Sequence, residues 1–413
     1  MTGLADCNNF FVSCERTVHP ELEGRPVVVG SNNDGCVVAR SNEAKHLGIK
    51  MGQPIFELRD LIRSGQLVAL SGHHLLYQEI SVQVHEIIRR FVPATIDYSV
   101  DEAFLDMDGI PLSVLPDIGR GIVDACRREA GIPVTVGFAA TKTLAKIITG
   151  LSKKAGRSVG LMIEENDVAT ALAGLPIAEL WGVGRRLSRR MYLEGVHTIA
   201  DFAAMEHERV RQRFGINGER SWLELHGTPA LTLDHLGRKI QDSISESRTF
   251  PFDVTEYDYI RARIAMYTDH CSKRLRRMHA LCKQLTVMLR TNRFHSENGY
   301  HTPQITVVFN TPVCDTHTLV GAALEGLKQI FDPDLKYKRG GVLLSEIIPG
   351  EFHTPSLFAA NDNPRLEKVR RLSKVIDCLN RGNGPAIIPL AAEISDGHPG
   401  HNDGYSSTFQ FRK

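Results

Sequence analysis

The sequence lacks the features that mark several large classes of protein. Its 413 residues contain no run of 18 apolar residues and no basic N-terminus followed by an apolar stretch, so neither a transmembrane helix nor a secretory signal is expected. None of the eight cysteines forms a Cys-x-x-Cys pair, which argues against a zinc ribbon or a disulfide framework. We therefore expect reduced thiols and a cytoplasmic location.

The sequence also has almost no excess of charge of either sign. Lys and Arg total 49 against 48 acidic residues, which gives a net charge of +1. This balance does not exclude a nucleic-acid partner, because only the surface that meets the phosphates must be positive. The chain is too long for a single hydrophobic core, so several domains are expected.

Two adjacent acidic residues, Asp101 and Glu102, lie within a hydrophobic stretch. Residues 97–107 alternate polar and apolar side chains, which predicts a β-hairpin with the acids near its turn. A third acid, Asp6, ends a short apolar run at the N-terminus. If the fold brings the three together, they form an oxygen-ligand site suited to Mg²⁺, and two such ions can drive in-line attack on a phosphate. The alternative is that the acids are solvated turn residues.

The order of predicted elements indicates a multidomain α/β and α+β chain. Strands at 3–6, 95–100, 103–107 and 133–139, with helices at 78–91, 115–130 and 141–153, form a mixed α/β part. A helical part follows, and then a strand, helix, strand, strand, helix, strand order, which is a recognised small unit. Frequent Pro, Gly, Asn and Asp after residue 349 predict a poorly ordered tail with one helix at 364–379.

Several motifs occur in the order found in a known family. Asp6-Cys7-Asn8-Asn9-Phe10-Phe11 is followed by the strand-like stretch at 25–30 and by a strand leading into a helix at 36–45, and Asp101-Glu102 comes later. Over about residues 4–348 the chain resembles the Y-family, or translesion, DNA polymerases. The stretch Ser-Asn-Asn-Asp-Gly-Cys-Val at 31–37 resembles the UmuC type, the catalytic subunit of DNA polymerase V.

The resemblance implies a division into named domains. The palm carries a mixed sheet, the fingers are small, the thumb is wholly helical with a helix-hairpin-helix, and the little finger has the βαββαβ order. The implied boundaries are palm at 1–26 and 78–165, fingers at 27–77, thumb at 166–232, a linker at 233–242, little finger at 243–348 and an extended tail at 349–413.

The resemblance also implies catalytic roles and a cofactor, two Mg²⁺ ions. Asp6 and Asp101 would bridge both ions, Glu102 would hold the ion that activates the primer 3′-hydroxyl, and the Cys7 carbonyl would complete the second ion's ligands. Catalysis would then rest on charge neutralisation and alignment. The nucleotide-binding residues implied are Phe10, Phe11, Asn42, Lys45 and Lys153. Many relatives carry Tyr and Arg in place of Asn42 and Lys45, although these two suit the UmuC type.

Basic residues mark two predicted contacts with DNA. Gly182 and Gly184 with the following arginines suggest a turn in which backbone N–H groups meet a phosphate. A second basic cluster lies in the βαββαβ part, where residues 236–297 hold 12 Lys or Arg against 7 Asp or Glu, a balance of 12 − 7 = +5. Such contacts weaken steeply with salt. The predicted DNA-binding residues are Gly182, Gly184, Arg185, Arg186, Lys273, Arg274, Arg276, Arg277 and Arg290.

The resemblance predicts an error-prone translesion DNA polymerase of the SOS response. Its implied partners are primed template DNA, deoxynucleoside triphosphates, a cleaved UmuD-type dimer and the RecA filament, with no membrane. Leu357 and Phe358 resemble a peptide that binds the sliding clamp, although Thr354 replaces the usual Gln. Three alternatives remain at this point: a nucleotidyl cyclase, a non-catalytic DNA-binding scaffold, and a polymerase of the DinB type.

Overall fold

The computed structural model describes residues 1–31, 35–232, 241–294, 299–350 and 364–379. The chain divides into two compact units, with the break between residues 237 and 238. Most of the predicted linker, the centre of the 31–37 stretch, and Leu357 and Phe358 lie outside the described residues. Within the described part, no helix is both long and apolar enough to span a membrane.

The first unit is built around a five-stranded mixed sheet. The strand order is β5-β6-β1-β7-β8, in which β7 and β8 are parallel and the other neighbours are antiparallel. The strands are β1 (Thr2–Cys7), β5 (Ala94–Asp97), β6 (Glu102–Asp106), β7 (Val134–Ala139) and β8 (Val159–Met162). The sequence prediction of a hairpin carrying Asp101 and Glu102 at its turn is confirmed.

The first strand of this hairpin is shorter than the sequence predicts. β5 ends at Asp97, and the N–H groups of Tyr98 and Ser99 both donate to the Glu102 carbonyl, at 3.0 and 3.1 Å. These two bonds close the turn, so the chain cannot continue as a strand to residue 100.

Different helices cover the two faces of the sheet. One face packs on three helices through residues such as Ala5, Leu105 and Val136. The other face, with Leu4 and Phe104, packs on a single helix and on the helical part that follows. The three helices are α1 (Phe10–Val18), α4 (His74–Arg89) and α5 (Leu115–Ala130), and the single helix is α6 (Lys142–Lys154).

Helix α6 lies unusually close to the sheet. A Cβ atom at Gly137 would stand 2.3 Å from Thr149 Oγ1, and one at Gly160 would stand 2.1 Å from Ser152 Oγ. Only glycine fits at such backbone approaches. The helix therefore lies near enough for its lysines to reach the end of β1.

A small sheet and short helices form the segment between α1 and α4. The sheet order is β3-β2-β4, and Val28, Val37 and Ala69 are buried in its own core. Ser41 begins the first of the helices by accepting a hydrogen bond from the Ala44 N–H, as an N-cap residue does. The elements are β2 (Val27–Gly30), β3 (Val37–Arg40), β4 (Val68–Ser71), α2 (Asn42–His46) and α3 (Arg59–Arg63).

The last part of the first unit is helical, as the sequence predicts. Its helices are α7 (Glu165–Ala173), α8 (Arg185–Leu193), α9 (Ile199–Ala203) and α10 (His207–Leu225). Before the turn at Gly182, where the implied helix-hairpin-helix needs a first helix, there is only a one-turn 3₁₀ helix, Ile177–Glu179. Pro176 precedes it as an extended residue, and Leu180 is extended again at its end. The turn before α8 therefore joins a single 3₁₀ turn to an α-helix.

The second unit has the predicted βαββαβ order. Its sheet, ordered β11-β10-β12-β9, is antiparallel throughout and packs on two helices through a core that includes Leu285, Val342 and Ile264. A last helix, α13 (Pro364–Leu379), has the bounds that the sequence predicts. The other elements are β9 (Ser243–Val254), α11 (Tyr257–Arg277), β10 (Ala280–Thr291), β11 (Gln304–Val313), α12 (Thr316–Ile330) and β12 (Tyr337–Pro349).

Candidate functional site

The three acids predicted as metal ligands come together at one end of β1 and β6. Asp6 pairs with Glu102 in the antiparallel register, and directly opposed residues project their side chains on the same face. The Cys7 N–H donates to the Asp101 carbonyl at 2.8 Å, which ties the turn to β1. The side chains of Asp6 and Glu102 therefore lie on the face covered by α6, and the backbone of Asp101 lies beside Cys7.

Lysines of α6 neutralise two of these carboxylates. Lys153 Nζ lies 2.5 Å from Asp6 Oδ1, and Lys146 Nζ lies 2.5 Å from Glu102 Oε1. The Ser99 hydroxyl donates to Asp101 Oδ1. Within the described ranges, no group of three His, Cys, Asp or Glu residues is arranged to hold a metal ion as it stands. Shared coordination therefore requires these side chains to turn from their present partners toward one another.

The donor set itself fits magnesium. Three carboxylates and the Cys7 carbonyl are hard oxygen ligands, the kind that Mg²⁺ takes in proteins. The Cys7 carbonyl lies 3.4 Å from Lys153 Nζ, beside Asp6, so it belongs to the same cluster. A site rich in carboxylates and partly buried gains most from a divalent cation, because unpaired buried charge is costly.

Burial raises the pKa of Asp6 from its ordinary value of 3.8 to about 6. Lys153 works against this rise, whereas the neighbouring charges of Glu102 and Asp101 add to it. Because all three carboxylates act on one another, bringing a cation among them relieves repulsion as well as desolvation.

We predict that Asp6 makes the metal-free chain less stable as the pH rises. Its folded pKa of about 6 exceeds the ordinary 3.8, so between these values the folded chain binds more protons than the unfolded chain. The stabilising contribution is complete below pH 3.8 and is lost as the pH rises through about 6. Hydrogen exchange of the wild type and Asp6→Asn without added metal, followed in peptides from β1 and α6, should show the variant gaining stability relative to the wild type over this range. A difference that does not vary with pH would contradict this assignment.

A second cluster forms where the start of α1 meets α2. Lys45 Nζ donates to Asn9 Oδ1 at 2.6 Å and to Asn42 Oδ1 at 3.1 Å, and Asn9 Nδ2 donates to Asn42 Oδ1 at 3.1 Å. Burial lowers the pKa of Lys45, and the positive charges of Arg40 and Lys153 lower it further. The charges of Arg40, Lys45 and Lys153 therefore act on one another, and Lys153 is the one that contacts a carboxylate of the site. Asn42 and Lys45 are in direct contact, and the charge of Lys153 acts on Lys45. Asn9 and Arg40 were not singled out in the sequence.

Phe10 and Phe11 are the first two residues of α1, so their N–H groups belong to the turn that has no helical acceptors. Phe10 is buried, and the Phe11 ring stacks on Tyr77 with centroids 4.4 Å apart at 15°. The Tyr77 hydroxyl donates to the buried Glu15 carboxylate at 2.5 Å. The Phe11 ring therefore stacks on the Tyr77 ring, which its hydrogen bond to Glu15 holds in place.

The predicted phosphate-binding turn lies in the first unit. Gly182 has φ of +86°, a conformation that favours glycine, and Gly184 is the N-cap of α8. Arg185 and Arg186 follow on the exposed surface. The glycines and arginines therefore occupy one accessible turn, although only a single 3₁₀ turn precedes it.

Arg276, a predicted DNA contact, is engaged inside the second unit. Its side chain is 9% exposed, and its guanidinium donates to both carboxylate oxygens of Asp377 on α13, at 2.6 and 2.7 Å. Lys273 is also engaged, because its ammonium lies 2.5 Å from Asp269 Oδ2. Arg274 and Arg277 are exposed at the end of α11. This part of the basic cluster is therefore partly internal to the second unit.

Arg290 stands on the sheet instead. It is exposed on β10 and pairs in register with Arg339 of β12, which is also exposed. Arg339 donates to Ser247 Oγ on β9 at 2.7 Å. The neighbouring residues Leu289 and Gly340 are buried on the helix side, so both arginines project from the face opposite the helices. Arg339 was not singled out in the sequence.

Two family descriptions match this chain, one in each unit. Residues 5–150 match the impB/mucB/samB family, and residues 241–357 match the C-terminal domain of that family. The chain is 33% identical over 397 residues to protein UmuC of Salmonella typhimurium strain LT2, covering 95% of this chain and 93% of that protein. It is 30% identical over 404 residues to DNA polymerase IV of Moorella thermoacetica, covering 95% and 96%.

Solved structures show the same fold. A chimaera of the Y-family DNA polymerases Dbh and Dpo4 matches with a TM-score of 0.68 at 21% identity, covering 84% of this chain and 99% of that one. The Dbh DNA polymerase in an insertion ternary complex matches with a TM-score of 0.55 at 20% identity, with the same coverage. The resemblance inferred from the sequence motifs is confirmed: the chain belongs to the impB/mucB/samB family, and it is a DNA-directed DNA polymerase of the Y-family and of the UmuC type.

Proposed function

We propose that this polymerase adds deoxynucleotides opposite damaged template bases by a two-metal mechanism. The observation that carries the proposal is the pairing of Asp6 with Glu102, next to Asp101, at the end of β1. Beside them lies the cluster of Arg40, Lys45 and Lys153. Lys153 links the two groups, because it contacts Asp6 and its charge acts on Lys45, and phosphoryl transfer needs both metal-binding acids and cations for the phosphates.

Each acid has a distinct proposed role. Asp6 and Asp101 would hold both Mg²⁺ ions, Glu102 would hold the ion on the primer side, and the Cys7 carbonyl would face the ion on the triphosphate side. When bound, the ions supply charge neutralisation and lower the pKa of the attacking hydroxyl. The chain itself holds the carboxylates together. When the ions bind, they would replace Lys146 as the partner of Glu102 and Lys153 as the partner of Asp6.

The triphosphate would lie across the start of α1. The free N–H groups of Phe10 and Phe11 favour an anion there, and Asn42, Lys45 and Lys153 would bind its phosphates. The Lys45 ammonium binds as a point charge, without the two-pronged geometry of an arginine. Its lowered pKa reflects a cation held near other cations, an arrangement that an anionic ligand stabilises.

DNA would contact two surfaces. In the first unit the turn of Gly182, Gly184, Arg185 and Arg186 would bind a backbone phosphate. In the second unit we now assign Arg290 and Arg339 on the open sheet face in preference to the end of α11. Such contacts position the duplex without reading its sequence.

The wider setting is also a proposal. Val38 and Ala39 would lie against the base pair that forms with the incoming nucleotide. Their small side chains leave room for a distorted template base. The relatives named UmuC and ImpB support a role in the SOS response in the cytoplasm, with a UmuD-type dimer and RecA as partners. Clamp binding through Leu357 and Phe358 concerns residues outside the described ranges.

The test is primer extension past an abasic site. The purified chain is assayed with Mg²⁺, the four deoxynucleotides and a primed template, with and without a UmuD-type dimer and RecA. We expect insertion opposite the lesion and extension beyond it, stimulated by the partners. Failure to add any nucleotide to an undamaged template under all these conditions would refute the proposed mechanism.

We predict that Phe11→Ala admits ribonucleotides. The Phe11 ring, held on Tyr77 at 4.4 Å, would lie beneath the sugar and exclude a 2′-hydroxyl by collision. Removing it should raise the relative kcat/KM for ribonucleotides by about 10- to 100-fold, the range for opening space for one small group. Single-nucleotide insertion with paired ribo- and deoxynucleotides measures this. Phe56→Ala, at an exposed phenylalanine, is the control, and unchanged sugar discrimination in Phe11→Ala would contradict the role.

A further inference from the structure

Helix α6 presents two lysines to the site, and the proposed triphosphate contacts account for only one of them. Lys146 and Lys153 are seven residues apart, which places them on one face of the helix. Lys153 lies against Asp6, on the side proposed for the triphosphate, and Lys146 lies against Glu102, on the side proposed for the primer. The two lysines therefore lie on opposite sides of the place where the primer hydroxyl would attack the triphosphate.

Two aromatic rings surround Lys146. Its ammonium lies 5.2 Å from the centre of the Tyr98 ring and 5.8 Å from that of Trp181, within the range of cation–π attraction. These rings attract the ammonium independently of Glu102. If a metal ion takes the Glu102 carboxylate, Lys146 loses its ion pair and stays at the primer side of the site.

The two rings are fixed to each other by direct contacts. Trp181 Nε1 donates to the Tyr98 hydroxyl at 3.1 Å, and the rings meet edge to face with centroids 5.3 Å apart. Phe104 packs against both, at 5.6 Å from each. A cavity of about 120 Å³ borders Trp181 and Lys146. Because this cavity leaves one side of Trp181 without packing contacts, the hydrogen bond to the Tyr98 hydroxyl contributes much to the orientation of the Trp181 ring.

The pair joins two parts of the proposed DNA surface. Tyr98 lies in the hairpin turn, where its N–H donates to the Glu102 carbonyl. Trp181 directly precedes Gly182, where the proposed phosphate-binding turn begins. The hydrogen bond from Trp181 to Tyr98 therefore connects the proposed phosphate-binding turn with the hairpin turn that carries Asp101.

We propose that Lys146 binds the terminal phosphodiester of the primer strand and that the Tyr98–Trp181 pair positions it there. This inference rests on the proposed polymerase mechanism and adds a substrate contact on the side of the attacking hydroxyl. An ammonium near the last primer phosphate would restrain the 3′-terminal sugar, and holding a reactant in its reactive geometry accelerates the step. Tyr98 and Trp181 are positioning residues, since they act through Lys146.

The experiment removes the charge from each partner in turn. Single-turnover insertion is measured with a normal primer and with one carrying a neutral methylphosphonate at its terminal linkage. Equilibrium binding of both primers is measured by fluorescence anisotropy with Mg²⁺ present and no nucleotide added, so that a metal ion can take Glu102 from Lys146. In the wild type we expect the neutral linkage to slow insertion about tenfold and to weaken binding. Lys146→Met should slow insertion of the normal primer about as much and should no longer respond to the neutral linkage.

Graded variants complete the test. Lys146→Arg should restore part of the rate and of the response, and Trp181→Phe, which keeps a ring but loses the N–H donor, should reduce both without abolishing them. Lys154→Met is the matched control, since Lys154 lies on the same helix but pairs with Glu179 at 2.6 Å. It should respond to the neutral linkage like the wild type.

The outcomes separate this inference from the mechanism beneath it. A full methylphosphonate response in Lys146→Met would overturn the contact, while insertion of nucleotides by the wild type would leave the polymerase mechanism standing. No insertion by the wild type would refute the mechanism itself. If Lys146→Met does not fold, Lys146→Gln gives the same comparison, and the response in Trp181→Phe decides independently.

Discussion

Asp101→Asn is expected to abolish nucleotide addition while leaving DNA binding intact. The substitution keeps the size of the side chain and an oxygen that accepts from Ser99, so the hairpin turn should be preserved. It removes one of three charges proposed to hold the ions. Metal ions contribute several kcal/mol of charge stabilisation, and each 1.4 kcal/mol is tenfold in rate. We therefore expect a loss on the order of 10³-fold in single-turnover insertion.

The control for this prediction lies on the same strand. Asp106 is exposed on β6, and its carboxylate accepts from the Asp108 N–H at 3.0 Å, away from Asp6. Asp106→Asn should insert nucleotides like the wild type, and both variants should bind primed DNA equally in an anisotropy assay. Normal insertion by Asp101→Asn would remove this residue from the mechanism. Loss of DNA binding along with activity would show instead that the hairpin had been disturbed.

The architecture around these acids follows closely from the sequence. Alternating side chains from residue 97 to 107 predict the hairpin, because one face of each strand is buried. The three acids could be picked out as acids beside or within apolar runs, but only the family motifs favoured a shared role over solvated turn residues. Their pairing across β1 and β6 depends on register, which a pattern within one strand cannot fix. The structure supplies that register by placing Asp6 opposite Glu102.

The residues that sequence reasoning missed are polar groups brought together by tertiary packing. Asn9 joins Lys45 across 36 positions, and Lys146 reaches Glu102 across 44. Nothing local marks either residue. The approach of α6 to the sheet depends on Gly137 and Gly160, and this spacing decides whether the helix's lysines reach the carboxylates.

The pairing of Arg276 inside the second unit was missed for a similar reason. A count of basic residues treats every arginine as surface, whereas this one lies beneath a helix from the region predicted to be a poorly ordered tail. The partner, Asp377, is 101 positions away. Burial of an arginine requires such an acceptor, and the sequence gives no sign of which carboxylate supplies it.

Asp377→Ala is expected to destabilise the second unit substantially. Arg276 is 9% exposed and Asp377 is 24% exposed, and their two hydrogen bonds join α11 to α13. Removing one partner of a buried ion pair leaves a desolvated charge and typically costs about 3–5 kcal/mol. Arg276 keeps bonds to the Cys314 carbonyl, Thr316 and Ser272, at 3.0, 3.0 and 3.1 Å. We therefore expect a loss near the lower end, about 3 kcal/mol.

Hydrogen exchange on the full-length chain measures this loss in the right place, because a multidomain protein has no single unfolding transition. Exchange should accelerate in peptides from α11 and α13 and stay unchanged in peptides from β1 and α6.

Asp258→Ala is the matched control, since Asp258 is 85% exposed in its pair with Arg261 on the same helix and should cost at most about 0.5 kcal/mol. Arg276→Met combined with Asp377→Leu should recover much of the loss, because apolar pairs often replace buried ion pairs without penalty. Faster exchange confined to α13 would mean that the ion pair only docks this helix, and unchanged exchange in both helices would contradict the prediction.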